Sequence, residues 1–230
     1  MGIINGMTRA ASALAYWERR QEVVTNNLAN ADTNGFRAQR TFASAIGDAL
    51  PVAGTALDTR AGALKQTGNS LDVALGGDGY FVVDTAQGER FTRAGSFRLD
   101  TSNRLVDQSG NPVLGEGGPI VVPRGTVSID AAGGVSVDGK IVDRLRVETV
   151  PAGTDMPHEA GTFLVPDPSR TAVDPASRSV QQGYLEDSNV NTIGSMVDMI
   201  SIQRSYSAIQ RTMTTLDGIR HTISNELGKV

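Results

Sequence analysis

Ile202-Gln203-Arg204-Ser205-Tyr206-Ser207-Ala208-Ile209-Gln210-Arg211-Thr212-Met213-Thr214-Thr215-Leu216 is the stretch whose reading decides how this chain is built. Written as a heptad, one position holds Ile202, Ile209, Leu216 and Ile223. The other holds Tyr206, Met213, Arg220 and Leu227. A stripe that narrow is a helix-packing seam, and its own helix cannot bury it. The N-terminal end follows the same rule: Met7, Leu14, Gln21 and Leu28 run beside Ala10, Trp17, Val24 and Ala31. The two ends therefore belong together, and each needs a helix from this chain or from a neighbour. That is the pattern of an assembly subunit.

Between the helical ends the pattern changes to short alternating strands punctuated by glycine. Most of the 26 glycines fall between Gly47 and Gly183, where turns use them. Val73, Leu75 and Tyr80-Phe81-Val82-Val83 read as strands around the turn Gly76-Gly77-Asp78-Gly79. Arg90-Phe91-Thr92 and Phe97-Arg98-Leu99 continue the series. Asp138-Gly139, flanked by Val135, Val137 and Ile141, predicts a hairpin whose two turn residues take positive φ.

The expected fold class is α+β: long N- and C-terminal helices pair as a coiled-coil stalk beside a central all-β domain of short strands and hairpins. The expected divisions are an N-terminal helix with an Asn-rich exit over 1–36 and an extended or partly helical connector over 37–67. The β domain covers 68–174 and folds by itself; a polar return segment follows over 175–190, then the C-terminal helix over 191–230.

Composition excludes several classes of function. A net charge of −4 leaves no basic footprint for nucleic acid, and the absence of cysteine excludes disulfides, thiol catalysis and thiolate metal sites. No apolar run approaches the roughly 20 residues needed to span a bilayer, so no membrane insertion is expected. The N-terminus lacks the pattern of a cleaved secretory signal. Gly134 to Lys140 fits half of a phosphate loop, but Ile141 stands where a hydroxyl is required, in a hairpin context. His158 and His221 have no second ligand at zinc spacing. No catalytic, cofactor-binding or metal-binding constellation is present, so neither an enzyme nor a cofactor is expected. Trp17 is the only tryptophan and lies in a helix, which leaves a secreted carbohydrate-binding β domain with helical anchors as a poorly supplied alternative. Arg204, Arg211 and Arg220, balanced by Asp198, Asp217 and Glu226, fit either a solvated face or pairing between subunits.

Several motifs carry a resemblance. Asn26-Asn27-Leu28-Ala29-Asn30, followed by Thr33, Gly35 and Phe36, resembles the N-terminal signature of the axial proteins of the bacterial flagellum, its rod and hook subunits. Gly68 to Val83 and Phe91 to Phe97 are similar to that family's central motif. Gly183-Tyr184-Leu185-Glu186-Asp187-Ser188-Asn189-Val190-Asn191 resembles its lead-in to the C-terminal helix, extended by Met196 to Ile200 and Gln203 to Tyr206. Val113 to Pro123 resembles the proximal rod branch more than the distal rod or hook branches.

The resemblance implies a structural subunit of the flagellar basal-body rod, a hollow helical shaft that transmits motor torque. The implied partners are copies of itself, neighbouring rod proteins and the flagellar type III export apparatus. The implied location is the periplasmic rod of the basal body, reached without a cleaved signal peptide. Its assembly residues would be Asn26, Asn27, Leu28, Ala29, Asn30, Thr33, Gly35 and Phe36 with Leu185, Ser188, Asn189, Val190 and Asn191. Read from its residues, the Asn-rich exit is either an ordinary helix stop or a fixed geometry in which Gly35 holds a backbone conformation closed to other residues, the asparagines satisfy helix-end carbonyls, and Phe36 anchors in a neighbouring subunit.

Overall fold

The computed structural model describes residues 2–44, 52–151, 154, 156–159, 162–163 and 170–227. These form an α+β chain with one helix at each end and a β-rich middle. Two compact units emerge. The first comprises 1–31, 38–58 and 190–230, and the second comprises 32–37 and 59–189. The chain thus changes unit after Ala31, Arg37, Asp58 and Asn189.

In the first unit, α1 spans Gly2–Ala29 and α2 spans Thr192–Leu227. At 36 residues α2 is about 54 Å long. The helices pack antiparallel, because Arg20 reaches Asp198 at 3.6 Å while Gly6 faces Leu216. Among the described residues of 37–67, the expected extended or partly helical connector is extended and strand-paired, with no helix. Gln39–Ser44 and Val52–Leu57 form an antiparallel hairpin that packs on α1. Arg40 and Asp58 pair at 2.6 Å beside it.

In the second unit, strands 80–85 and 88–92 sit at the centre of a six-stranded sheet, and 127–129, 134–137 and 140–144 form a three-stranded one. Asp138 and Gly139 turn the latter hairpin with φ of 49° and 80°. Val73, Phe81, Val83, Phe97, Leu105, Ile120 and Leu145 pack in one core. Phe81 and Phe97 meet edge to face at 5.3 Å, the arrangement that aromatic quadrupoles favour.

The expected polar return segment is structured and partly buried. Val180–Gln182 pairs with Val73–Leu75, and Tyr184–Glu186 pairs with Leu64–Gln66. Val180 belongs to the core itself. A fragment bounded at 68–174 lacks these strands and so lacks edges of its own sheets.

Candidate functional site

On α2 coverage by the rest of the chain is confined to a few positions. Between Ser201 and Thr222, Ile202 is buried, while Ser205, Tyr206, Ile209, Met213 and Leu216 are half-buried; every other position is exposed. The spacing through 202, 206, 209, 213 and 216 alternates four and three. Arg220 departs from it and is exposed. The side chains of Ile223 and Leu227 lie outside the described residues.

On α1, Met7, Leu14, Trp17 and Leu28 are half-buried and Val24 is buried. The covered stripe is wider than a two-position seam, because Val23 and Asn27 are buried as well. The hairpin accounts for this second face: α1 has a strand partner on one side and α2 on another. Trp17 carries Arg20 over its ring at 5.4 Å, and Arg20 continues to Asp198.

The Asn-rich exit divides its work. Asn27 exchanges two hydrogen bonds with the backbone of Gln39: its Nδ2 donates to the carbonyl at 2.8 Å, and its Oδ1 accepts from the amide at 2.9 Å. The side chain thereby imitates a strand partner and fixes where the hairpin starts. Asn30 Nδ2 donates to the Asn26 carbonyl at 2.8 Å, satisfying a helix-end acceptor. Asn26 and Ala29 are exposed, and Leu28 is half-buried. Asn191 caps α2, its Oδ1 accepting from the Gly194 amide at 3.0 Å.

The remaining motif residues meet in the second unit around one carboxylate. Glu186 Oε1 is 2.7 Å from Arg37 Nη2 and accepts from the Gly62 amide at 2.9 Å, while Oε2 lies 3.2 Å from Arg93 Nη1. Arg37 and Glu186 are each only 1% exposed. Arg37 also donates to the Arg60 carbonyl, and Arg93 to those of Leu75 and Gly77. Tyr80 stacks under Arg93 at 5.2 Å. Burial pushes the Tyr80 hydroxyl pKa up and the Arg93 guanidinium pKa down, Glu186 opposing the latter shift.

Two cations and one anion sealed from water are costly unless the anion is well bonded. Here one carboxylate holds four chain segments: the exit at Arg37, the segment at Gly62, the core at Arg93 and the return strand at Glu186. Backbone contacts complete the clasp. The Gly35 amide donates to the Glu186 carbonyl at 2.7 Å, and the Asn189 amide to the Phe36 carbonyl at 3.3 Å. Asn189 Nδ2 donates to the Arg60 carbonyl at 2.7 Å. Gly35 has φ +70°, and a Cβ there would lie 2.3 Å from the Arg93 carbonyl carbon. Phe36 is buried in its own chain and Leu185 beside it in sequence order of the motif is buried too, so Phe36 is not left free as an anchor for a neighbouring subunit. Thr33 is exposed, and Ser188 and Val190 are half-buried.

The assembly residues named from the motifs include Gly35, Phe36, Leu185 and Asn189 but not Arg37, Arg93 or Glu186, the charged residues at the centre of the clasp. Among the described residues no cluster of His, Cys, Asp and Glu could hold a metal, and no helix is long and apolar enough to cross a membrane. The geometry offers packing surfaces and a clasp.

Comparison with known proteins agrees along the length of the chain. Residues 7–37 match the family described as flagella basal body rod protein. Residues 74–137 match the flagellar hook protein FlgE/F/G D1 domain, and residues 181–226 the flagellar basal body rod FlgEFG protein C-terminal. The flagellar basal-body rod protein FlgF of Rhizobium meliloti is 32% identical over 225 residues, 93% of each chain. FlgF of Escherichia coli is 34% identical over 237 residues, covering 90% of this chain and 92% of that one. The flagellar basal-body rod protein FlgG of Bacillus subtilis is 29% identical over 261 residues, covering 97% and 99%.

Proposed function

Because this chain belongs to the flagellar basal-body rod protein family, with a structural and not an enzymatic role, we propose that it is the proximal rod subunit. In this reading α1 and α2 form a coiled-coil stalk that polymerises into the wall of a hollow helical shaft, and the shaft carries motor torque toward the hook. The partners are copies of itself and neighbouring rod proteins. The subunit travels through the flagellar type III apparatus and assembles in the periplasm.

The observation that carries the proposal is the narrow stripe of α2: between 201 and 222 only 202, 205, 206, 209, 213 and 216 are covered. A helix of 36 residues with so little of its surface covered is stabilised mainly by what packs on it. The rod role draws support from the identities: 32–34% to the FlgF proteins of Rhizobium meliloti and Escherichia coli and 29% to FlgG of Bacillus subtilis.

The residues that would set subunit geometry are the α2 seam and the clasp around Glu186. Electron microscopy of basal bodies from a strain lacking this gene tests the role. Rods that stop short at their inner end are expected. Complete rods of normal length would overturn it.

A further inference from the structure

The first turns of α2 expose large apolar side chains on the face away from the seam. Ile193 is 77% exposed, Val197 62% and Ile200 52%, with Met196 beside them at 49%. Ile193, Val197 and Ile200 stand four and three residues apart, on one helix face. The same line continues to Arg204 and Arg211, and no acidic residue lies between Met199 and Leu216. Concentrated apolar surface of this kind marks an interface.

The chain itself supplies a complementary face. On α1, Glu18, Glu22, Thr25 and Ala29 are all exposed and stand four, three and four residues apart. Set antiparallel to α2, Glu22 falls opposite Arg204 and Ala29 opposite Val197, with Thr25 within one residue, about 1.5 Å, of Ile200. Arg211 then lies about 4.5 Å along the axis from the point opposite Glu18, within reach of its long side chain. Glu22 already accepts from Arg19 at 2.9 Å, and a carboxylate has lone pairs for a second guanidinium. The antiparallel sense is the one α1 and α2 adopt within the chain. Copies related by rotation about an axis along the helices preserve it.

We propose that this outward face of α2 docks on the outward face of α1 of a second copy, through Ile193, Val197 and Ile200 against Thr25 and Ala29, with Arg204 and Arg211 set against Glu22 and Glu18. The two faces are different patches, so the contact is head to tail and does not close on itself in a pair; it propagates. The proposal rests on the rod reading for its setting, and on the exposed stripes for its geometry.

The chain has no cysteine, which makes crosslinking clean. Full-length Ala29→Cys and Val197→Cys chains are prepared separately, concentrated, mixed and mildly oxidised; the same pair is co-expressed and basal bodies are isolated. A covalent dimer should appear in the mixture and with neither variant alone. Glu22→Arg should cut its yield roughly tenfold, and Arg204→Glu added to the same chain should restore it. A Val197→Cys dimer formed alone, a Val197→Cys crosslink only to a different axial protein, or no mixed dimer in either preparation overturns the docking. A mixed dimer together with complete rods in the deletion strain would overturn the rod role and leave the docking standing. Shortened rods without a mixed dimer would do the reverse.

Discussion

Arg37 and Glu186 pair at 2.7 Å, each sealed from solvent, although nearly all of the second unit separates them in sequence. The pair joins the exit from α1 to the strand that leads toward α2. Arg93 completes it from the opposite side of the carboxylate at 3.2 Å.

Glu186→Ala leaves two buried guanidinium groups without their counter-ion. The second unit should lose about 3–5 kcal/mol of stability, read as a lower urea midpoint with unchanged slope. A loss under about 1 kcal/mol would place the cluster with ordinary surface pairs.

Gly35→Val meets two obstacles at once. A β-branched residue is penalised at φ +70°, and its Cβ would overlap the Arg93–Ala94 peptide. The variant should be made and exported but fail to enter the rod, and its β-rich unit should melt earlier. Wild-type incorporation would mean that the backbone relaxes there at little cost.

Ile209→Asp or Leu216→Asp puts a charge into the half-covered stripe of α2. An unpaired charge in an interface that becomes dry costs several kcal/mol, so motility should be lost while the β unit's thermal transition stays in place. Normal swimming by both variants would remove the stripe from assembly.

Acid should weaken the six-stranded sheet through Glu89. Burial alone would raise its carboxyl pKa, but hydrogen bonds from Arg170 and Arg146 outweigh burial and hold it below the usual range. A carboxylate depressed in the folded state contributes stability that is fully present above its unfolded value and is lost as pH falls through the folded one. Stability should therefore decline below about pH 4, and Glu89→Gln should flatten that part of the profile. An unchanged profile would assign the acid sensitivity to other groups.

What was legible in the sequence had local period or local turn chemistry. Ile202, Tyr206, Ile209, Met213 and Leu216 repeat within one helix, and Asp138-Gly139 announces its own turn; each needs no knowledge of distant residues. Arg220 fits the heptad count yet is exposed, since a count of positions does not say how far along a helix a partner extends. The hairpin at 39–44 and 52–57 was missed because its apolar residues do not alternate with period two and its start depends on Asn27, a helix residue. The clasp was missed for a similar reason. Arg37 follows one recognisable motif and Glu186 lies inside another, but nothing local records that these two charges, far apart in sequence, will meet as a buried pair. The strands at 180–186 read as polar because their partners, 64–66 and 73–75, lie at the other end of the unit.

The amides of Thr67 and Gly68 both donate to the Gly183 carbonyl, at 2.8 and 3.1 Å. Everything from Gly68 to Gly183 is therefore a closed loop whose two feet stand within one hydrogen bond. Its outer segments can be lengthened or shortened, provided Arg93 stays against Glu186, while the two feet keep their spacing.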